Sequence, residues 1–400
     1  MGRIFIPHDQ EFPRSAEVVI IGGGILGAAT AFYASKEGLD VVVLEMRDGL
    51  ATLTTAASEE CFRAQFSEPE NVAMMLASIR VFEHFAEVVG LPGYDIGLHQ
   101  QGYLFLSDHP DAPQVLRERV AHQRRIGLED VEFLDGEEVR RRFPWVAPGV
   151  TAATFRAKDG WLSAHEVTYG FAKASQARFL LRTKALRILQ DAQGVSGVET
   201  NRGTISTRTA IIAAGPFSGI VARSAGLELP LTTIRRQKVV VAPDPAIPQD
   251  APMTIDAYSG AYWRPEVGGA ALGWAIPEEP SEPSERVPAD WTFPPMVLEE
   301  VARLAPFWNE VAARLTRGSV FLSAGHYTMT PDSKPILGPS PLPGLYLNVG
   351  YSGHGVMGAP EGSRQVVEML VGRMDAASNP FSLHRFRKPA AALSQERMVL

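Results

Sequence analysis

Three glycines and an acid near the start of the chain carry the first legible chemistry. Gly22, Gly24 and Gly27 stand in G-x-G-x-x-G spacing, and Glu45 follows a second apolar run. The first glycine of such a pattern permits a tight turn. The second lets a pyrophosphate approach the backbone, and the third lets a helix lie close on a strand. The phosphates then sit at a helix N-terminus, where free N–H groups and the helix dipole favour negative charge. A carboxylate at Glu45 can take both ribose hydroxyls and repels a 2′-phosphate, which argues against NADP. The fingerprint alone suits NAD or the ADP half of FAD, and its place near the N-terminus leans toward FAD. A second constellation, Gly350-Tyr351-Ser352-Gly353-His354-Gly355, also follows a strand and opens a helix. Its N–H groups suit a flavin pyrimidine ring, which gains negative charge at N1–C2=O on reduction.

The elements that must position these groups follow from the apolar pattern. Val18, Val19, Ile20 and Ile21 read as a strand, and Ile25 and Leu26 open the helix whose start meets the ligand. Val41 to Leu44 form the next strand and end on Glu45. The polar stretch 47–60 is too long for a simple turn and is expected to lie along a ligand. A helix is expected over 69–89, with Pro69 at its first position. A strand follows at 102–106, then helices at 112–126, 136–142 and 164–175. A strand meander spans 179–214, with a turn at Gln193-Gly194 and an apolar strand ending on Gly215. Further strands are expected at 238–242, 262–264, 270–274, 319–323 and 345–349, and helices at 296–305 and from 355 to about 373. The acidic, proline-rich stretch 277–295 has too few apolar residues to form a core and reads as an edge or lid.

Composition sets the bounds. At 400 residues the chain is long for one core, so two domains are expected. A net charge of −7 offers no basic surface for nucleic acid. One cysteine, Cys61, excludes an internal disulfide and fits a reducing compartment. The start lacks the apolar region of a secretory signal, and no run approaches the ~20 apolar residues of a membrane span. A cytoplasmic protein is expected. The nine histidines are scattered without ligand spacing, so no metal is expected.

With these pieces in place the chain resembles the D-amino-acid oxidase superfamily (DAO type) of FAD-dependent oxidoreductases. It is similar to the branch holding sarcosine oxidase, dimethylglycine dehydrogenase and the proline dehydrogenase β-subunit. The resemblance rests on the fingerprint with Glu45, SEECFRAQF (58–66), DGWLSAH (159–165), AAGPFSG (213–219), YWRPE (262–266), LGW (272–274), TPDSKPILG (330–338) and GYSGHGVMGAP (350–360), in family order. It implies α/β plus α+β architecture: a discontinuous Rossmann-like FAD-binding domain (1–90, 150–228, 320–375) and an antiparallel-sheet substrate domain (91–149, 229–319). A C-terminal tail is expected over 376–400.

The resemblance implies non-covalent FAD. The ADP would sit on Gly22, Gly24, Ile25, Leu26, Gly27 and Glu45, the adenine near Ala185 and the diphosphate near Gly215. The flavin ring would lie against Gly353, His354, Gly355, Val356 and Met357. Arg63 matches the arginine that grips a substrate carboxylate, and Tyr262 and Tyr327 match positions lining the substrate cavity. Several family residues are replaced. Ala271 stands where sarcosine oxidase has its oxygen-reducing lysine, Ala275 where it has an active-site histidine, and Met357 where it has a second carboxylate-binding lysine. Glu60 stands where an arginine would be, and Tyr327 at the arginine of D-amino-acid and glycine oxidases. Gly325 stands at the flavin-linking cysteine, and no histidine lies between Gly49 and Arg63 to tether the flavin.

The expected activity is oxidation of a small amine or amino acid, secondary or N-methylated as in sarcosine or proline, by hydride transfer to flavin N5 followed by imine hydrolysis. The electron acceptor is O2 or a redox partner, and the chain stands alone or in a homo- or hetero-oligomer. A glycine- or D-amino-acid-oxidase-like activity is one alternative. A non-catalytic FAD-binding subunit or assembly factor of a larger complex is another.

Overall fold

Val18–Ile21 and Val41–Leu44 are buried at every position. Strands covered on both faces belong inside a parallel sheet. The computed structural model, which describes residues 1–389 and 392–398, places both near the middle of a seven-stranded sheet. The order is Arg3–Phe5, Arg178–Leu180, Val41–Leu44, Val18–Ile21, Thr209–Ile212, Leu345–Val349 and Ile336–Pro339. All neighbours are parallel except the last pair. Alternate residues feed two cores. Val18, Ile20, Val41 and Val43 pack under the helices Ile25–Lys36, Ala164–Ala174 and Gly355–Leu370. Val19, Ile21, Val42 and Leu44 face the small sheet Ala185–Asp191, Gly194–Thr200 and Gly203–Ser206.

A second sheet has eight strands, in the order Val320–Met329, Thr232–Val241, Gly269–Trp274, Ala261–Glu266, Met253–Asp256, Tyr103–Ser107, Ala152–Arg156 and Glu132–Asp135. It is antiparallel but for one pairing, Met253–Asp256 with Tyr103–Ser107. One face holds Val239, Trp263, Ala270 and Leu272 against the helices Phe293–Leu304 and Phe307–Arg314. Directly opposed residues of an antiparallel pair share a face. Tyr262 opposes Gly273 and Arg264 opposes Ala271, so these four share the other face, as does Lys238, which also opposes Gly273.

Several elements differ from the expected bounds for local reasons. The helix expected over 69–89 is two, Pro69–Glu83 and Phe85–Val89, divided at His84. The helix expected from 296 starts at Phe293, because Pro294 and Pro295 fall in a first turn, where their missing N–H groups have no intrahelical partner. The strand expected at 238–242 runs Thr232–Val241, and that expected at 319–323 runs Val320–Met329. Their charged and polar residues fall on both faces, Lys238 toward Ser58 and Arg235 toward Glu278, which hides the strand pattern. Arg3–Phe5 adds an edge strand, too short to show a period in the sequence.

The expected tail, 376–400, includes 390, 391, 399 and 400, which lie outside the described residues. Its described part is pinned at three places. Arg385 pairs with Asp332 at 2.6 Å, and Ser394 accepts from Lys334 at 2.7 Å. The Glu396 carboxylate accepts from the N–H groups of Ser67 (2.9 Å) and Glu68 (3.1 Å), from the Ser67 hydroxyl and from the Asn71 amide. The helix Pro69–Glu83 has no cap from its own N-cap side chain. Glu396 therefore supplies from the far end of the chain the acceptor that the helix start needs.

Candidate active site

The first cleft is made by backbone. Its cavity measures about 290 Å³. Gly22, Gly24, Ile25, Leu26, Glu45, Ala185, Gly215, Gly353, Gly355 and Val356 line it, drawn from five separate stretches of chain. Gly27 does not line it. A Cβ there would come within 1.8 Å of the Gly22 carbonyl oxygen, so this glycine serves the contact between helix and strand. Gly22 has φ 117° and a Cβ there would meet the Ala213 carbonyl at 2.4 Å. Glu45 is fixed by backbone donors, Gly23 N–H and Arg47 N–H, each at 2.8 Å. Burial raises its pKa against the pull of those donors.

Two helices start at this cleft, Ile25–Lys36 and Gly355–Leu370, and neither has a side-chain cap. Only Thr55 Oγ1 approaches the first, 3.4 Å from Ile25 N. Uncapped N–H groups at two helix starts make a cleft that favours anionic ligand atoms at two places. At Gly215 (φ 52°) a Cβ would meet nothing within 4 Å, so the backbone there is open to a ligand. An acid that can accept from ribose, phosphate-ready N–H groups and a second positive helix end fit FAD in an extended form. Ile25, Leu26 and Gly24 could hold the pyrophosphate, Ala185 the adenine end, and Gly353, Gly355 and Val356 the flavin end.

The second pocket is made by side chains. Arg63, Tyr262, Tyr327, His354 and Met357 line it, with Glu59, Glu60, Cys61, Tyr103 and Met253. It shares Ser58, Tyr327, Gly353 and Val356 with the cleft, so the two cavities meet at the flavin end. His354 and Met357 thus lie on the pocket side rather than in the cleft. Burial, and then the charge of Arg63, holds the His354 imidazole well below its ordinary pKa, so it is neutral. Its ring meets Phe66 edge-on, centroids 4.8 Å apart. Gly273 makes room for Tyr262, whose hydroxyl would lie 2.3 Å from a Cβ there.

Arg63 is 2 % exposed. Its guanidinium donates to the carbonyls of Gln65 and Met398 and lies 4.1 Å from the centroid of the Phe66 ring. Neither hydrogen-bond acceptor is a carboxylate, and burial lowers its pKa from the ordinary value. The segment carrying it is held from below: Asp159 accepts from Ala64 N–H at 3.0 Å and pairs with Arg156 at 2.5 Å. Thr154 donates to the Gln65 side chain at 2.8 Å. The Asp159-Gly160 pair of the DGWLSAH motif thus positions the arginine segment, and a Cβ at Gly160 would meet the His99 carbonyl at 1.9 Å.

Sequence reasoning missed Glu59, Cys61, Tyr103, Met253 and the carbonyl of Met398. Tyr103 and Met253 sit on strands whose apolar pattern marks them as core, and nothing in the tail's composition signals docking. Glu59 was within reach, because it stands in the polar stretch expected to follow a ligand. Cys61 is free and buried, and burial pushes its thiol to about 12. Among the described residues no group of three or more His, Cys, Asp or Glu could hold a metal ion, and no helix is long and apolar enough to cross a membrane.

Comparison with known proteins agrees with this geometry. The family model described as DAO, FAD dependent oxidoreductase, matches residues 17–369. FAD-dependent oxidoreductase domain-containing protein 1 of Bos taurus is 28% identical over 424 residues, covering 94% of this chain and 85% of the relative. Sarcosine oxidase subunit beta of Arthrobacter sp is 26% identical, covering 96% of this chain and 94% of the relative. The crystal structure of L-proline dehydrogenase from P. horikoshii superposes with a TM-score of 0.83 at 26% identity, covering 94% of this chain and 99% of the other.

Proposed function

The chain belongs to the DAO family of FAD-dependent oxidoreductases, and from that premise we propose that it oxidises a small amino acid, secondary or N-methylated as in sarcosine or proline. One observation carries the reading. A buried arginine with no carboxylate among its hydrogen-bond acceptors lines a small pocket that opens onto the flavin end of the cleft. The names of the relatives, a sarcosine oxidase subunit and a proline dehydrogenase, support the same substrate class.

The residues' roles follow from their surroundings. FAD, when bound non-covalently, supplies the hydride acceptor. Arg63 binds the substrate carboxylate, because its planar fork can give two parallel charge-assisted hydrogen bonds. Tyr262 and Tyr327 bound the pocket with apolar ring faces. Both hydroxyls are held protonated by burial, Tyr327 at about 12, so they donate and do not act as bases. The uncapped start of Gly355–Leu370 favours negative charge at the flavin end. Close placement of the substrate carbon supplies much of the rate, since no side-chain nucleophile is required. Ala271 lies on the cleft face of its sheet where a lysine would favour oxygen, so a redox partner takes the electrons.

Anaerobic mixing of the holoprotein with an amine panel tests this. Sarcosine or proline should bleach the flavin band faster than primary amino acids, with little oxygen uptake in air. If no amine in the panel bleaches it, the chain is a non-catalytic flavin-binding subunit instead.

A further inference from the structure

Two adjacent glutamates in the pocket wall have unlike surroundings. Glu60 stands in left-handed backbone, φ 61°, uncommon for a residue with a side chain. Its carboxylate accepts from Ala164 N–H at 3.0 Å, at the start of the helix Ala164–Ala174, and lies 3.8 Å from Arg264. Glu59 has no such partners. Both of its carboxylate oxygens are shielded from solvent and neither accepts a well-formed hydrogen bond, the Tyr262 hydroxyl being the one side-chain donor near enough to favour its ionised form, although the residue lines the pocket that holds Arg63. Its own carbonyl is occupied, accepting from Arg264 at 3.1 Å and from Cys61 at 3.2 Å. The backbone at Glu59 is therefore anchored while the carboxylate is left over. A buried carboxyl without partners is uncommon, and neither its neutral nor its ionised form is satisfied here.

The groups around it come from several elements. Lys238, on Thr232–Val241, directs its ammonium to the carbonyl of Ser58 at 2.6 Å. Arg264 and Tyr262 stand on Ala261–Glu266, Tyr327 on Val320–Met329, and Glu60 and Cys61 on its own segment. Lys238 and Arg264 offset part of its charge without bonding it. Burial outweighs them and raises the carboxyl to about 7, with Glu60 adding to the rise and the Tyr262 hydroxyl opposing it.

A buried cation, Arg63, and a buried carboxyl without a well-formed hydrogen bond, Glu59, thus stand in the wall of one small pocket. We propose that Glu59 binds the substrate's amino nitrogen, so that the pocket takes a zwitterionic amino acid with its carboxylate on Arg63, and that Glu59 accepts the proton the nitrogen sheds before oxidation. This rests on the amine-oxidising reading above and names the group that selects the amine. The step is a proton transfer only. An N–H bond of the substrate ammonium breaks, its electron pair stays on nitrogen, and an O–H bond forms on the Glu59 carboxyl. No electron leaves the substrate in this step. A carboxyl near neutrality suits the task, because it can take the proton and release it without a large penalty either way.

The test uses binding rather than turnover. 2-Aminoisobutyrate has no hydrogen on its α-carbon and cannot be oxidised there, and isobutyrate is the same skeleton without nitrogen. Calorimetric titration of the holoprotein with each gives a ratio of affinities. In the native protein that ratio should rise about tenfold per pH unit below neutrality and level off above it, as Glu59 ionises. In Glu59→Gln the affinity for 2-aminoisobutyrate should fall at least about tenfold and its pH dependence flatten, with isobutyrate binding as tightly as before or tighter. A native ratio that is flat between about pH 5.5 and 8.5 overturns the proposal even if the variant does not fold. An unchanged ratio in a folded Glu59→Gln overturns it too. Failure of the amine-oxidising reading looks different: 2-aminoisobutyrate still binds through Glu59, yet no amine reduces the flavin.

Discussion

The cleft at Gly22–Leu26 and the pocket at Arg63 share four residues of wall and are built in different ways. The cleft is backbone. Its donors are the N–H groups of two helix starts, its acid is locked by two main-chain hydrogen bonds, and glycines set its shape. The pocket is side chain. Its charged residues are Arg63, Glu59 and Glu60, the first two shielded, and its walls come from strands 103–107, 253–256, 261–266 and 320–329 and from the start of the last helix. A backbone site depends on local geometry and tolerates change in most side chains around it. A side-chain site can change its ligand by single substitutions. The cofactor half of such a protein can therefore stay fixed while the substrate half is rewritten.

The largest expected effect separates the two. Gly27→Val should abolish flavin binding, since a Cβ already falls 1.8 Å from the Gly22 carbonyl and the helix must move away from its strand. Overpacking costs about 1–3 kcal/mol and occasionally more, and here the obstacle is backbone that cannot turn aside. The purified variant should be colourless and should not regain flavin absorbance on incubation with FAD. Stoichiometric flavin in Gly27→Val breaks the view that the cleft depends on this contact.

The next effect lies wholly on the pocket side. Arg63→Lys keeps the charge and loses the fork. It should retain full flavin content and raise the dissociation constant for isobutyrate about tenfold to a hundredfold, as expected when a charge-assisted bidentate contact worth about 1.5–3 kcal/mol is lost. Equal losses of flavin and carboxylate binding contradict the division of the two sites.

The same division decides what could be read in the sequence. The fingerprint, Glu45, Gly215 and the Gly353–Gly355 loop were legible because spacing and glycine alone dictate where N–H groups point. So was Arg63, through the motif around it. The network that holds Arg63 was not, because Asp159 and Arg156 act across 95 residues of chain on Ala64 and Gln65. The long strands Thr232–Val241 and Val320–Met329 show only in part, since arginines and a lysine on both faces of a strand leave no alternating apolar pattern. The docking of the tail was invisible for a related reason. A single glutamate among polar residues carries no signal that it caps a helix more than 300 residues away.

That tail gives the smallest effect and ties the two regions together. Glu396 caps Pro69–Glu83, and Met398 supplies a carbonyl to Arg63. Burial opposes ionisation of Glu396, but its hydrogen bonds from Ser67 and Asn71 win and hold its carboxyl below the ordinary range. A carboxyl whose pKa is lower in the folded state adds stability above its unfolded pKa, and that stability is lost as pH falls through the folded value. Glu396→Ala should therefore cost about 1–2 kcal/mol near neutral pH, the usual worth of a helix cap, and progressively less in acid. Thermal melts of native and variant holoprotein, compared near pH 7 and near pH 4, read the difference directly. The flavin should remain bound in the variant, because the cleft takes nothing from the tail. Carboxylate binding should weaken by only a few fold, because Arg63 keeps its bond to Gln65 and loses only the orientation that the Met398 carbonyl provides. A gap between the two proteins that widens in acid contradicts the cap. Loss of flavin in Glu396→Ala instead means that the tail reaches past the pocket and supports the cleft as well.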